Sequence, residues 1–159
     1  MKTIVLVSIL LFAAGRALPQ APDFELQGID NNYYTYDELK GEKLTMIDFW
    51  ATWCKPCIHS IPELVAITSE YKSKGVNTIG INIDSPRNRS KVAPFSSSLK
   101  INYPVLLDTE GEVMKDFNVV SVPTLLILDE HAKIVYVHQG YKPGDAEEIR
   151  HQLDKLLKQ

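Results

Sequence analysis

Hydrophobic positions along this chain fall into short runs of two kinds. Residues 44–50 (Leu-Thr-Met-Ile-Asp-Phe-Trp) are nearly all apolar, the pattern of a strand covered on both faces, and residues 76–83 repeat it. Between them Ile58, Ile61, Leu64 and Val65 recur at helical spacing toward Tyr71, and Gly75 closes the helical region. Pro62 lies inside that helix and is expected to kink it near Ile58, where a backbone hydrogen bond is lost. Upstream, Phe24 and Leu26 alternate with Glu25 and Gln27, turn residues follow, and Tyr33, Tyr34 and Tyr36 complete a hairpin over residues 24–36. Downstream, residues 87–99 read as a weaker helix with Val92, Phe95 and Leu99 on one face and Pro94 interrupting it. Residues 104–107 form a short extended piece, and Val113 with Phe117 marks a short helix. Residues 124–128 and 133–138 pair as a second hairpin, and Asp145 with Glu148 suggests a capping box for a last helix carrying Ile149, Leu153 and Leu156. The order predicts an α/β fold, a central mixed sheet with helices on both faces, an N-terminal hairpin and an inserted helix.

Composition narrows the function more than the fold. A length of 159 residues suits one domain, and 45% hydrophobic with 23% charged residues excludes a disordered chain. The net charge of −3 leaves no basic footprint for nucleic acid. Residues 3–14 form an apolar run behind Lys2 that is too short to span a bilayer, with small residues at Gly15 and Ala17. Residues 1–17 therefore read as a secretory signal cleaved after Ala17, leaving residues 18–159 as the domain. Arg16 weakens the cleavage site, so an uncleaved anchor is an alternative, as is a buried first strand or helix. Export to the periplasm or another extracytoplasmic space is expected, with membrane contact only if the segment stays.

Export changes how two cysteines read. Cys54 and Cys57, separated by Lys55 and Pro56, cannot build a multi-bridge scaffold. As a staple, so short a ring is worth only about 2 kcal/mol. A reactive pair fits better. Cys54 falls at the first turn of the helix, where unpaired N–H groups and the helix dipole favour an anion. Lys55 adds positive charge, Pro56 is tolerated because its missing N–H has no partner there, and Cys57 should lie deeper. Lowering a thiol's proton affinity makes it a slightly better attacker and a much better leaving group, which suits reversible exchange. Haem attachment needs histidine after the second cysteine, and the residue there is Ile58. Zinc needs two further ligands, and His59 points away from Cys57 on a helix. No cofactor and no metal are expected.

Two further features stand out. Asp48 interrupts the apolar strand six residues before Cys54. It is either a solvated residue of an edge strand or a buried acid with a raised pKa, able to take a proton from Cys57. Val122-Pro123-Thr124 places a proline at the mouth of a strand, as a boundary residue or as a cis proline in a tight turn.

Together, Ile47-Asp48-Phe49-Trp50-Ala51-Thr52-Trp53-Cys54-Lys55-Pro56-Cys57 and the distant Ser121-Val122-Pro123-Thr124 resemble the thioredoxin superfamily, specifically its exported TlpA/ResA-like thiol–disulfide oxidoreductases. The resemblance spans about residues 21–158. It implies that Cys54 is the attacking thiol, Cys57 the resolving thiol, Asp48 the buried acid and Pro123 a cis proline. Trp53 and Val122, with Pro123, would contact the extended partner chain. The implied partners are proteins carrying disulfides and an unidentified thiol electron donor, served by a monomer. Many thioredoxins place a lysine near the buried acid, where this chain reads Ile79-Gly80-Ile81. Members devoted to cytochrome c maturation often carry a glutamate just beyond that strand, which Ile83-Asp84-Ser85-Pro86 lacks, so that pathway stays open rather than favoured. The alternatives are a peroxiredoxin-like thiol peroxidase, a non-enzymatic thiol chaperone for copper or zinc, and a redox-inert module with a structural bridge.

Overall fold

The computed structural model describes residues 20–158, so the segment read as a signal lies outside the described residues. Its framework is one seven-stranded mixed sheet. In chain order the strands are β1 (Glu25–Gly28), β2 (Tyr33–Thr35), β3 (Leu44–Trp50), β4 (Val76–Asn82), β5 (Val105–Leu107), β6 (Thr124–Asp129) and β7 (Ile134–Gln139). Across the sheet they run β2-β1-β5-β4-β3-β6-β7. β3 pairs parallel with β4 and antiparallel with β6, and all seven of its residues are buried. That settles the choice left open at Asp48, which sits on an interior strand and not on an edge.

Among the described residues five α-helices cover the sheet: α1 (Tyr36–Leu39), α2 (Lys55–Tyr71), α3 (Arg89–Ser98), α4 (Glu112–Asp116) and α5 (Asp145–Leu156). The two-residue period of β3 divides the core. Ile47 and Phe49 join Tyr36, Val113 and Phe117 on the side of α1 and α4. Met46 faces Leu64, Ile67, Ile149 and Leu153 on the side of α2 and α5. Trp50 packs with both cysteines, Ile61 of α2 and Val92 of α3 in a third cluster at the end of the strand. Each such buried side chain is worth roughly 1.5–3 kcal/mol relative to exposure.

Three local expectations need correction. The first hairpin is shorter than residues 24–36, because Tyr36 opens α1 and Thr35 and Glu38 form a capping box there. Pro94 does not interrupt its helix: α3 runs through it, anchored by buried Val92 and by Phe95, which stacks on Trp50. Hydroxyls of Ser96 and Ser97 donate to the carbonyls of Val92 and Ala93, tying the last turn to the part before the proline. Asp145 does not cap α5. Gly144 takes that position at φ 99°, and the Asp145 carboxylate turns back to accept the Lys142 N–H at 2.7 Å. Pro62 lies within an unbroken α2. Among the described residues, no helix is long and apolar enough to cross a membrane.

Candidate active site

The strand-to-helix turn after β3 places the cysteines. Cys54 is the N-cap of α2, in extended backbone, and Pro56 occupies the first turn. Its Sγ accepts the Cys57 N–H at 3.2 Å, and the two sulfurs are joined as a disulfide. Cys57 is fully buried, while Cys54 keeps 4% of its surface exposed. The outer sulfur thus sits at the helix N-terminus and accepts one of its backbone N–H groups, so that N–H and the helix dipole stabilise a negative charge formed there.

A buried polar bracket, which sequence reading missed, holds that turn. Asp84 accepts the Thr52 N–H at 2.7 Å and the Thr52 hydroxyl at 2.6 Å. Asn82 completes it: its side-chain amide donates to Asp84 at 2.9 Å, and its side-chain carbonyl accepts the Asp84 N–H at 3.0 Å. Asn82 and Asp84 are both fully buried, so losing either would strand polar groups without water. The only signal in the sequence is a pair of polar residues ending an apolar strand thirty residues from the turn they fix.

The Val122–Pro123 peptide is cis, and Val122 packs against the cluster that contains both cysteines. The loop is pinned on two sides: the Thr124 hydroxyl donates to the Ser121 carbonyl at 2.8 Å, and the Gly140 N–H donates to the Pro123 carbonyl at 2.8 Å. Trp53 does not enter the cluster; it lies 60% exposed beside the cysteines, and Val120 is exposed near the proline loop. Trp53 adjoins Cys54 and Val120 lies three residues before Pro123 in the chain, so exposed apolar side chains flank both segments that form the site. His59 is exposed and stacks on Tyr141, apart from the sulfurs.

Asp48 lies on the same face of β3 as Trp50, two residues away. Its register neighbours are Gly80 on β4 and Leu125 on β6, neither of which offers it a side-chain partner. Its Oδ2 is buried without a hydrogen bond among the described residues, and burial pushes the carboxyl up to about 7. The space above Gly80, where a lysine would reach the acid, is taken by Tyr103: a Cβ built on Gly80 would meet that ring at 3.0 Å. The Tyr103 hydroxyl is itself buried without a partner among the described residues, and burial and the charge of Asp48 raise it well above its ordinary value.

No third sulfur or imidazole completes a metal site at the cysteines among the described residues. Elsewhere, one atom each of His138, Asp145 and Glu148 lie within 4.8 Å of one another, but Tyr136 and Lys142 already engage them.

This arrangement agrees with what the chain is similar to. The AhpC/TSA family matches residues 18–137. The thioredoxin-like protein YneN of Bacillus subtilis is 36% identical over 122 residues, covering 76% of this chain and 70% of that protein. The thiol-disulfide oxidoreductase ResA of Bacillus thuringiensis is 30% identical over 139 residues, covering 87% of this chain and 75% of ResA. Among solved structures, a Chlorobium tepidum protein provisionally assigned as thiol:disulfide interchange protein DsbE superposes with a TM-score of 0.80 at 28% identity, over 88% of this chain and 96% of that one. StoA of Bacillus subtilis superposes with a TM-score of 0.69 at 25% identity, over 84% of this chain and 97% of StoA. The chain belongs to the AhpC/TSA family and groups there with the thioredoxin-fold, ResA-like thiol–disulfide oxidoreductases.

Proposed function

We propose that this thiol–disulfide oxidoreductase works in the reducing direction, on protein disulfides outside the cytoplasm. The observation that carries the reading is the cysteine pair at the start of α2, with the outer sulfur at the helix N-cap and the proline loop beside it. In the reduced enzyme the Cys54 thiolate attacks one sulfur of a partner disulfide; that bond breaks, and the partner's other sulfur leaves as a thiolate. Cys57 then gives its proton to Asp48 and attacks Cys54, releasing the second partner thiolate. Two electrons pass to the partner, and the Cys54–Cys57 disulfide remains until a thiol donor reduces it. The exposed ring of Trp53 and the loop at Val122 and Pro123 receive the partner's extended chain. Residues 1–17 serve export, residues 18–159 form the working domain, and the enzyme acts as a monomer. The apolar run behind Lys2 supports export, and the exposed side chains of Trp53 and Val120 support a protein substrate.

Replacing Cys57 with serine tests the order of the two sulfurs. Incubated with insulin, Cys57→Ser is expected to accumulate a covalent adduct through Cys54, seen by non-reducing electrophoresis and released by dithiothreitol. Wild-type protein resolves the same adduct and shows little of it. An adduct-free Cys57→Ser protein would contradict the assignment.

A further inference from the structure

Asp48, Leu125 and His138 occupy adjacent strands in register, so their side chains rise on one face of the sheet. On that face, between the sheet, α2 and α5, lies a cavity of about 30 Å³ whose wall includes Asp48, Glu63, Pro123, His138, Tyr141 and Asp145. Three of these residues carry a buried polar atom without a hydrogen-bond partner among the described residues: Asp48 Oδ2, His138 Nε2 and Asp145 Oδ1. A buried water needs roughly 10–15 Å³ and two to four polar partners, and the cavity supplies both. Two strand spacings, roughly 10 Å, separate Asp48 from His138, a span for bridging water and not for direct contact.

We infer that water in this cavity joins Asp48 to the His138–Asp145 pair, and that His138 passes the proton of Asp48 to and from solvent. The inference rests on the reading of Asp48 as the acceptor of Cys57's proton. Once Asp48 holds that proton, it crosses the water to His138 Nε2, and a proton leaves from Nδ1. An imidazole can accept on one nitrogen while releasing from the other. The path has a partly exposed outer end, since His138 is half-buried. Its Nδ1 lies 3.3 Å from the Tyr136 hydroxyl, which donates to exposed Glu148 at 2.8 Å.

Asp145 makes the relay work in both directions. His138 Nε2 is 2.9 Å from Asp145 Oδ2, but the carboxylate lies off the direction in which that nitrogen bonds, so in the neutral ring with its proton on Nδ1 the Nε2 lone pair stays available. Burial opposes ionisation of Asp145, yet the Lys142 N–H and His138 outweigh it and hold the carboxyl below its ordinary value. An ionised Asp145 stabilises the transient imidazolium. The other titratable groups facing the path are Glu63 of α2, which accepts the Tyr141 hydroxyl at 3.0 Å, Tyr136 on β7, Glu148 on α5, and Tyr103 beyond Asp48. His138 acts through Asp48 and is a positioning residue, touching neither sulfur nor substrate.

The relay matters most below a pH of about 7, where Asp48 begins protonated and must lose its proton before accepting another. The test mixes reduced full-length protein with an aromatic disulfide whose released thiolate is coloured, in weak buffer, by stopped flow. The first phase reports attack by Cys54 and the second reports resolution by Cys57. His138→Gln is expected to leave the first phase unchanged and slow the second about ten-fold below that pH. Well above it the two proteins should coincide, and added imidazole buffer should restore the low-pH rate. Asp145→Asn, which preserves shape at that position, is expected to slow the same phase with the same rescue. A normal second phase in both variants while Asp48→Asn is slow overturns the relay and leaves the role of Asp48 standing. A slow phase that imidazole does not restore marks a structural effect and also overturns it. If Asp48→Asn resolves normally, the proton role of Asp48 and the relay fall together.

Discussion

Cys54→Ser is expected to reduce insulin disulfides no faster than the uncatalysed background, a loss of roughly a thousand-fold or more. A hydroxyl cannot replace this sulfur on two grounds. An oxygen does not enter thiol–disulfide exchange, and a helix N-terminus contributes only about 0.3–2 kcal/mol toward an anion, far too little to ionise an alcohol at neutral pH. The fold should survive the change. The four-residue ring closed by Cys54 and Cys57 constrains the unfolded chain by about 2 kcal/mol, while the core around it is built from Trp50, Ile61, Val92 and Val105. Circular dichroism of the variant is therefore expected to match wild type while turnover disappears. A variant that keeps its rate rules out the mechanism, and a variant that unfolds makes the pair structural.

The second large effect concerns stability. Asp48 binds its proton more tightly in the folded chain, near 7, than its ordinary value of 3.8 allows once unfolded. Between those values the native state holds the extra proton, so stability falls as pH rises through the window. Over the whole interval the loss comes to about 4 kcal/mol, the cost of an ionised carboxylate on a buried strand. Asp48→Asn cannot ionise. Its urea midpoint is expected to hold steady where the wild-type midpoint declines from about pH 4 to about pH 7, leaving the variant more stable above neutrality and the curves parallel at the acid end. The same variant should resolve mixed disulfides slowly, so the residue that weakens the fold is the one the chemistry uses. Wild-type and variant midpoints that run parallel through neutrality would show that Asp48 is not held as described.

Most of the framework could be read from apolar periodicity, because each long element buries one kind of face. The run at residues 44–50 marked β3, and the helical spacing of Ile58, Ile61 and Leu64 marked α2. Short elements escaped for a physical reason. Tyr36 continues the alternation of Tyr33 and Tyr34, yet local capping by Thr35 and Glu38 turns it into a helix. Pro94 carries a real propensity cost, and only the tertiary anchor of Phe95 on Trp50 shows why the helix persists. At the site, Cys54, Cys57 and Pro123 were legible because their spacing and neighbours repeat a family pattern. Asp84, Tyr103 and the His138–Asp145 pair were not, since each acts across the sheet on a residue distant in sequence. Tyr103 in particular fills the space that Gly80 leaves open, a complementarity that no single residue type announces.

In this mechanism the sulfur at the N-cap of α2 is the reactive one, held ready as a thiolate when reduced. Its most direct test is alkylation of the reduced protein by iodoacetamide across a range of pH, with the modified residue identified by mass spectrometry. Cys54 is expected to react first, with its rate rising at a lower pH than that of free cysteine, while buried Cys57 lags far behind. Preferential modification of Cys57, or a Cys54 that reacts only where free cysteine does, would contradict this mechanism.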